Sequence, residues 1–194
     1  MNSLQISDQE LIVRYLRGDE ESFSELIARH ERKIFTSIYL LVKDRDLAND
    51  IFQDTFIKVI NTLRSGTYNE EGKFLSWVMR IAHNLVIDHF RKEKRMPMLH
   101  DTDEYSIFDI IRLTDENVED KLVREQIHQT VRRLVEELPL DQKEVVIMRH
   151  YGNMSFKEIA EQTNVSINTS LGRMRYALIN LRKLIDEKKL ILSS

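Results

Sequence analysis

The chain has 194 residues, a charged fraction of 31%, a formal net charge of −3 and no cysteine. Disulfides and thiolate metal sites are thereby excluded, and no apolar run approaches the roughly 20 residues that span a bilayer. The N-terminus also lacks the basic-then-apolar stretch of a secretory signal, so a cytoplasmic protein of one large or two small domains is expected, without membrane insertion.

In chain order, Ser7 and Glu10 have the spacing of a capping box ahead of Leu11, Ile12 and Leu16, and Gly18 followed by Asp19 ends one helix and starts the next. Phe23, Leu26, Ile27, Ile34, Ile38 and Leu41 then recur at helical spacings and mark a buried stripe. A glycine-bounded loop, Ser65 to Gly72, leads into a helix that starts near Lys73 and ends in the cluster Arg91, Lys92, Lys94 and Arg95. Trp77, Arg80, Asn84, Asp88 and Arg91 fall within an arc of about 80° on that helix, while Val78, Ile81, Ala82 and Leu85 take the other side. An aromatic ring, cations and an amide on one outer face form the kit that stacks an unpaired base and holds the phosphates around it. The alternative reading makes Phe74 and Trp77 plain core aromatics beside an exposed basic helix end.

Charge is unevenly spread. Residues 1–95 are neutral, residues 96–118 carry −5 and residues 119–194 carry +2. The acidic middle, with Pro97, Asp101, Asp103, Glu104, Asp109, Asp115 and Glu116, reads as a linker (96–118) between two domains (1–95 and 119–194). Its short apolar patch, Ile107, Phe108, Ile110 and Ile111, suggests that it docks somewhere. Beyond it, Val123, Ile127, Val131, Leu134 and Leu138 repeat at helical spacing, Pro139 stops that helix, and Asp141 with Glu144 is expected to cap the next. With only 5 Gly and 2 Pro and no sustained alternation of period two, the fold class is all-α: two small helical domains, each with about four helices closing a core of its own.

The last motif is the most informative. Ser155 with Glu158 forms an S-x-x-E capping box before Phe156, Ile159 and Ala160; Asn164 suits a left-handed turn; and Ser166 can cap a second helix from Ile167. This is a helix-turn-helix outline. Its second helix offers Asn168, Thr169 and Ser170 at the start, then Arg173, Arg175, Arg182 and Lys183, a pattern that places polar side chains at base edges and cations at phosphates. Helical hairpins of ordinary α-domains share the spacing, and a basic helix face is often only solvated. The six histidines are scattered, and His83, Asp88 and His89 lack two nitrogens one turn apart, so no metal or other cofactor is expected. Nor is a catalytic residue: no nucleophile with a nearby base and no phosphate-cradling glycine loop occurs.

Taken together, the chain resembles an extracytoplasmic-function (ECF) sigma factor of bacterial RNA polymerase, of the minimal two-domain type, over nearly its whole length. The resemblance rests on the run Asp46 to Val59, similar to the family's polymerase-binding helix, on Phe74 to Asn84 with Asp88 and Arg91, similar to its promoter-melting helix, and on Leu138-Pro139 and the helix-turn-helix. It implies a factor that binds core RNA polymerase, recognises −35 and −10 promoter DNA and initiates transcription, and that an anti-sigma factor restrains. By the same resemblance Asp50, Gln53 and Asp54 face the polymerase, and Tyr68, Lys73, Phe74, Trp77, Arg80, Asn84 and Arg91 serve the −10 element, with the Ser65–Gly72 loop capturing a flipped base. Ser166, Asn168, Thr169, Ser170, Arg173, Arg175 and Lys183 serve the −35 element. Ser170 and Leu171 stand where family members often have valine and lysine, and Gly172 follows in mid-helix, which leaves the −35 preference open. A stand-alone helix-turn-helix regulator with an N-terminal sensing or dimerising domain is the competing class.

Overall fold

The computed structural model describes residues 6–69, 72–93 and 129–188, all of whose regular elements are helices. The expected linker at 96–118, the boundaries assigned around it, and Lys94, Arg95, Val123 and Ile127 lie outside the described residues.

Four helices build the first half: α1 (Asp8–Leu16), α2 (Glu20–Val42), α3 (Arg45–Arg64) and α4 (Phe74–Glu93). Each of the first three starts on a side-chain cap. Ser7 accepts from the Glu10 amide, Asp19 from those of Glu21 and Ser22, and Asp44 from that of Leu47. The Ser7 box is only half made, because the Glu10 carboxylate turns to Arg14 at 2.9 Å. Gly18 takes φ +102, a left-handed conformation open to glycine, and so lets α1 turn directly into α2. Asp8 then ties the two helices together through Arg29 at 2.7 Å and His30 at 2.6 Å.

The stripe on α2 is buried as its periodicity requires, with Ile27 only partly so, against Ile51, Val59 and Leu63 of α3 and Val78, Ala82 and Val86 of α4. Leu16, grouped with Leu11 and Ile12 by its spacing, is exposed at the end of α1.

The second half consists of α5 (129–136), α6 (Leu140–His150), α7 (Phe156–Thr163) and α8 (Ile167–Glu187). The expected cap at Asp141 is corrected here. Pro139 occupies the N-cap position without a side-chain bond, and its carbonyl accepts from the Gln142 and Lys143 amides. Its ring fixes φ in advance, so the helix starts one residue before Asp141, whose carboxylate binds the Gln142 amide and Arg173 instead. Val131, assigned to the buried stripe by spacing, is exposed.

The expectation of two independent cores holds only in part. Val145, Met148, Met154 and Ile159 form a small cluster with Phe156 and Met174, but Val135 and Ile147 belong to the core of the first half. The second half, whose helices α6 and α7 are short, closes only a small core of its own, and it docks on α2 and, through Ser76, His83 and Asn84, on α4.

Candidate polymerase and promoter DNA interfaces

On α3, Ala48, Ile51, Thr55, Phe56 and Val59 face inward. Asp50, Gln53 and Asp54 stand exposed on the opposite side, as expected. Beside them is a residue the sequence reading missed: Ile57, 55% exposed, one turn after Gln53 and Asp54. An exposed apolar side chain beside two carboxylates and an amide is a candidate anchor for a partner surface, though single exposed apolar residues also occur elsewhere on the chain. Its signal was present in the sequence as an isoleucine off the buried phase of α3.

The second surface is where the loop after α3 meets the first turns of α4. Gly66 and Gly72 adopt φ +69 and +71 at the two ends of that loop. Between them Tyr68 lays its ring against Trp77, with centroids 4.2 Å apart, and both contact Phe74. Phe74 itself is 2% exposed and also touches His30, so it forms the floor beneath Tyr68 and Trp77 rather than a surface that can meet a base directly. The core reading weighed for Phe74 is the one the geometry favours; Trp77 keeps a partly open ring. Asn84 and Arg91 are exposed on the same face, and Arg91 lies 3.6 Å from Asp88.

A cleft of about 450 Å³ lies over Tyr68, Trp77, Lys73 and Arg80, and its far wall is α7. The walls are bonded to each other. Glu158 Oε1 accepts from Lys73 Nζ at 3.0 Å and from Arg80 Nη2 at 3.4 Å, Gln162 Nε2 donates to Asn84 Oδ1 at 2.6 Å, and Ser76 Oγ donates to the Gly152 carbonyl at 2.9 Å. These pairings join residues 76 to 85 positions apart, and no local pattern announces them.

Glu158 also completes the capping box, its Oε2 accepting from the Ser155 amide and hydroxyl, both at 2.8 Å. Burial pushes its carboxyl up, but the bonds from Ser155 and from the Lys73 ammonium outweigh this and bring its pKa down to about 2. A depressed carboxyl pKa contributes stability that is complete above its ordinary value and lost as pH falls through the folded one. The melting-temperature difference between wild type and Glu158→Ala should therefore hold constant from about pH 8 to about pH 5 and close only below about pH 4, a window that thermal scans across pH will check.

The helix-turn-helix matches its expected outline residue by residue: the reciprocal Ser155–Glu158 box, Asn164 at φ 53, and Ser166 accepting from the Thr169 amide. Asn168, Thr169, Arg175 and Lys183 are exposed on α8. Two assignments are corrected. Ser170 is 0% exposed on a helix that packs against α6 and α7, and from that buried position it cannot touch a base edge. Arg173 is drawn back to Asp141 at 3.4 Å and lies off the outward face. At about 100° per residue, that face runs through Asn168, Gly172, Arg175, Tyr176, Ile179 and Lys183. A methyl group on Gly172 would meet nothing within 4 Å, so the interior of the domain does not require glycine there.

The sequence profile of Sigma-70 region 2 matches residues 26–96, and that of Sigma-70 region 4 matches residues 128–173. The chain is 28% identical to the RNA polymerase sigma-H factor of Pseudomonas aeruginosa over 187 residues, covering 94% of each chain. It is 29% identical to the ECF RNA polymerase sigma-E factors of Salmonella typhimurium and Escherichia coli over 190 residues, covering 96% of each chain. Among solved structures, the fold is similar to the sigma factor RpoE of Bartonella quintana in complex with the anti-sigma factor NepR, with a TM-score of 0.63 and 17% identity over 86% of this chain and 98% of that one. It is also similar to CnrH in complex with the cytosolic domain of CnrY, with a TM-score of 0.60 and 21% identity over 94% and 99%.

A helix-turn-helix preceded by an aromatic and basic helix, both matched in this order, defines a promoter-recognising transcription initiation factor, and the chain belongs to the sigma-70 family. Within it, the pairing of region 2 with region 4 and the full-length likeness to the sigma-E and sigma-H factors make it a sigma factor of the two-domain ECF type, whose partners are core RNA polymerase and promoter DNA. The stand-alone regulator is not favoured. No described helix is long and apolar enough to cross a membrane.

Proposed function

We propose that this sigma factor divides its work among three surfaces. The exposed face of α3, with Asp50, Gln53, Asp54 and Ile57, seats the first domain on a basic surface of core polymerase. Tyr68, Trp77, Lys73, Arg80, Asn84 and Arg91 hold the −10 element, with an extruded base stacked on the Tyr68–Trp77 pair over the Phe74 floor. The outward face of α8, led by Asn168, Thr169, Arg175 and Lys183 with Ser166 at its cap, reads the −35 element. The segment 96–118 connects the domains 1–95 and 119–194, and its charge of −5 suits a path already built for polyanions. The factor is not an enzyme, acts in the cytoplasm and is restrained by an anti-sigma factor, a reading supported by the similar RpoE structure, which is in complex with the anti-sigma factor NepR.

The observation that carries this reading is the Tyr68–Trp77 pair, 4.2 Å apart and flanked by Lys73 and Arg80. A half-open aromatic pair between two cations is poor core design and good strand-binding design. Run-off transcription with core polymerase tests it. Addition of this chain should start transcripts at a fixed distance from a selected −10/−35 pair, and Trp77→Ala should abolish the start while core binding persists.

On α8, loss of a phosphate contact should weaken binding about evenly across sequences. Arg175→Ala and Lys183→Ala are each expected to lower the salt slope of promoter binding by about one, as measured by titration of the holoenzyme at several salt concentrations. Gly172→Ala should have effects of opposite sign. It stabilises the free protein by about 1 kcal/mol through helix propensity, because the space is open. It also weakens −35 binding, because the methyl group stands on the face that approaches DNA. Calorimetry and promoter titration of the same variant separate the two effects.

A further inference from the structure

The floor of the −10 pocket rests on a residue that none of the three surfaces uses. His30 of α2 is buried, at 9% exposed, and its ring lies 5.8 Å from that of Phe74. From Phe74 the ring contacts continue to Trp77 at 5.9 Å and to Tyr68 at 6.4 Å, so four rings run without a break from the interior of the first domain to the pair that meets the base. The inner end of this run is held by polar bonds. His30 Nε2 donates to Asp8 Oδ2 at 2.6 Å, Asp8 Oδ1 accepts from Arg29 at 2.7 Å, and Glu25 holds that guanidinium at 2.8 Å. We propose that His30, oriented by Asp8, is a positioning residue for base capture: it sets the height and tilt of Phe74, and through it those of Tyr68 and Trp77. The inference rests on the reading of Tyr68 and Trp77 as the pair that stacks the extruded base.

Two features distinguish this arrangement from ordinary core packing. Filling the space under Phe74 needs only an apolar side chain. A histidine paired with a carboxylate, their side chains 11% and 28% exposed, costs desolvation that leucine would avoid, and what the pair adds is a directional bond that orients the ring. The upper members of the run also need such a support. Phe74 is the first residue of α4 and Tyr68 lies in the loop before it, so neither is held by helical turns on both sides. A stacking platform works only if its rings stay close to the geometry of the bound base, and a misplacement of about 1 Å can cost about a hundredfold. A bond made from α1 therefore bears on a pocket formed by α4 and the loop after α3.

The full-length chain has one tryptophan, Trp77, so its emission reports on the pocket itself. His30→Leu keeps apolar volume and loses the bond to Asp8. It should shift Trp77 emission in the free chain and leave binding to core polymerase unchanged. In the holoenzyme it should slow open-complex formation about tenfold on a duplex promoter, and less than about twofold on a template already unpaired at the −10 element. His30→Gln is the conservative rescue. Its amide donates to Asp8 from near the place of the imidazole nitrogen and lays a planar group under Phe74, so its duplex rate should stay within about threefold of wild type. Arg29→Ala is the control for a purely structural role, since it breaks the other bond from α2 to Asp8 and spares that of His30. At a temperature where both variants are folded, it should leave Trp77 emission and the duplex rate near wild type.

The proposal is overturned if His30→Leu slows both templates alike, if His30→Gln fails to restore the rate, or if Arg29→Ala shifts Trp77 emission and the duplex rate as much as His30→Leu does. His30 would then be a core residue only. Trp77→Ala separates this failure from that of the −10 reading. If it abolishes the duplex start while His30→Leu keeps the wild-type rate, the −10 reading stands and the positioning role alone falls. If Trp77→Ala leaves the duplex start intact, the −10 reading is wrong, and the positioning role falls with it.

Discussion

Asp50→Lys combined with Asp54→Lys is expected to abolish co-purification with core polymerase while the protein stays folded. Both carboxylates are exposed on α3, opposite the side that packs on α2 and α4, so their replacement should change stability by no more than about 0.5 kcal/mol. The effect on binding is much larger. Two attractive contacts with a basic partner become two repulsive ones, and like charges brought together at an interface cost several kcal/mol, more than a hundredfold in affinity. Ile57→Ser supplies the complementary test. It removes an apolar anchor without changing charge, and its effect should persist at high salt, where that of the lysine pair is screened. Undiminished co-purification of the double variant at unchanged helical content would move the polymerase contact to another face.

Much of the fold was legible because local signals decide it. Ser7, Asp19, Ser155 and Ser166 each carry a side-chain oxygen that satisfies an early helical amide, and that chemistry operates over three residues whatever the rest of the chain does. The stripe on α2 was legible for the same reason. Where local rules compete, the reading slipped. Asp141 has the composition of a cap, but Pro139 begins the helix earlier and leaves that carboxylate to Arg173.

The candidate site was legible in kind but not in arrangement. Ser170 and Arg173 were chosen by residue type and by their place in the first turns of α8. Angular position would have excluded them, since Ser170 shares a face with Ala177, which is fully buried. Glu158 is the harder case. Its capping role follows from Ser155 three residues earlier, whereas its second role depends on Lys73, which is 85 residues away and is brought close only by tertiary docking. A single side chain serves both, and only the nearer one leaves a trace in the local pattern.

The separation of strand capture from folding can be measured with two variants at positions that the family resemblance assigned alike to the −10 element. Asn84 is exposed on the outer face of α4, and Asn84→Ala should leave the melting temperature close to wild type. Extruding and unstacking a base costs a few kcal/mol, which contacts in the pocket must offset. The variant should therefore lose about tenfold or more in transcription from a duplex promoter and much less from a template already unpaired at the −10 element. Phe74→Ala should behave differently. Its ring is 2% exposed and supports Tyr68, Trp77 and His30, so truncation should cost about 3–5 kcal/mol of stability and depress transcription from both templates alike. Paired run-off assays on duplex and pre-opened promoters, with melting curves alongside, distinguish these outcomes. If Asn84→Ala lost activity equally on both templates at an unchanged melting temperature, Asn84 would act after strand opening, and capture of the unpaired base would have to rest on Tyr68, Trp77 and the flanking cations.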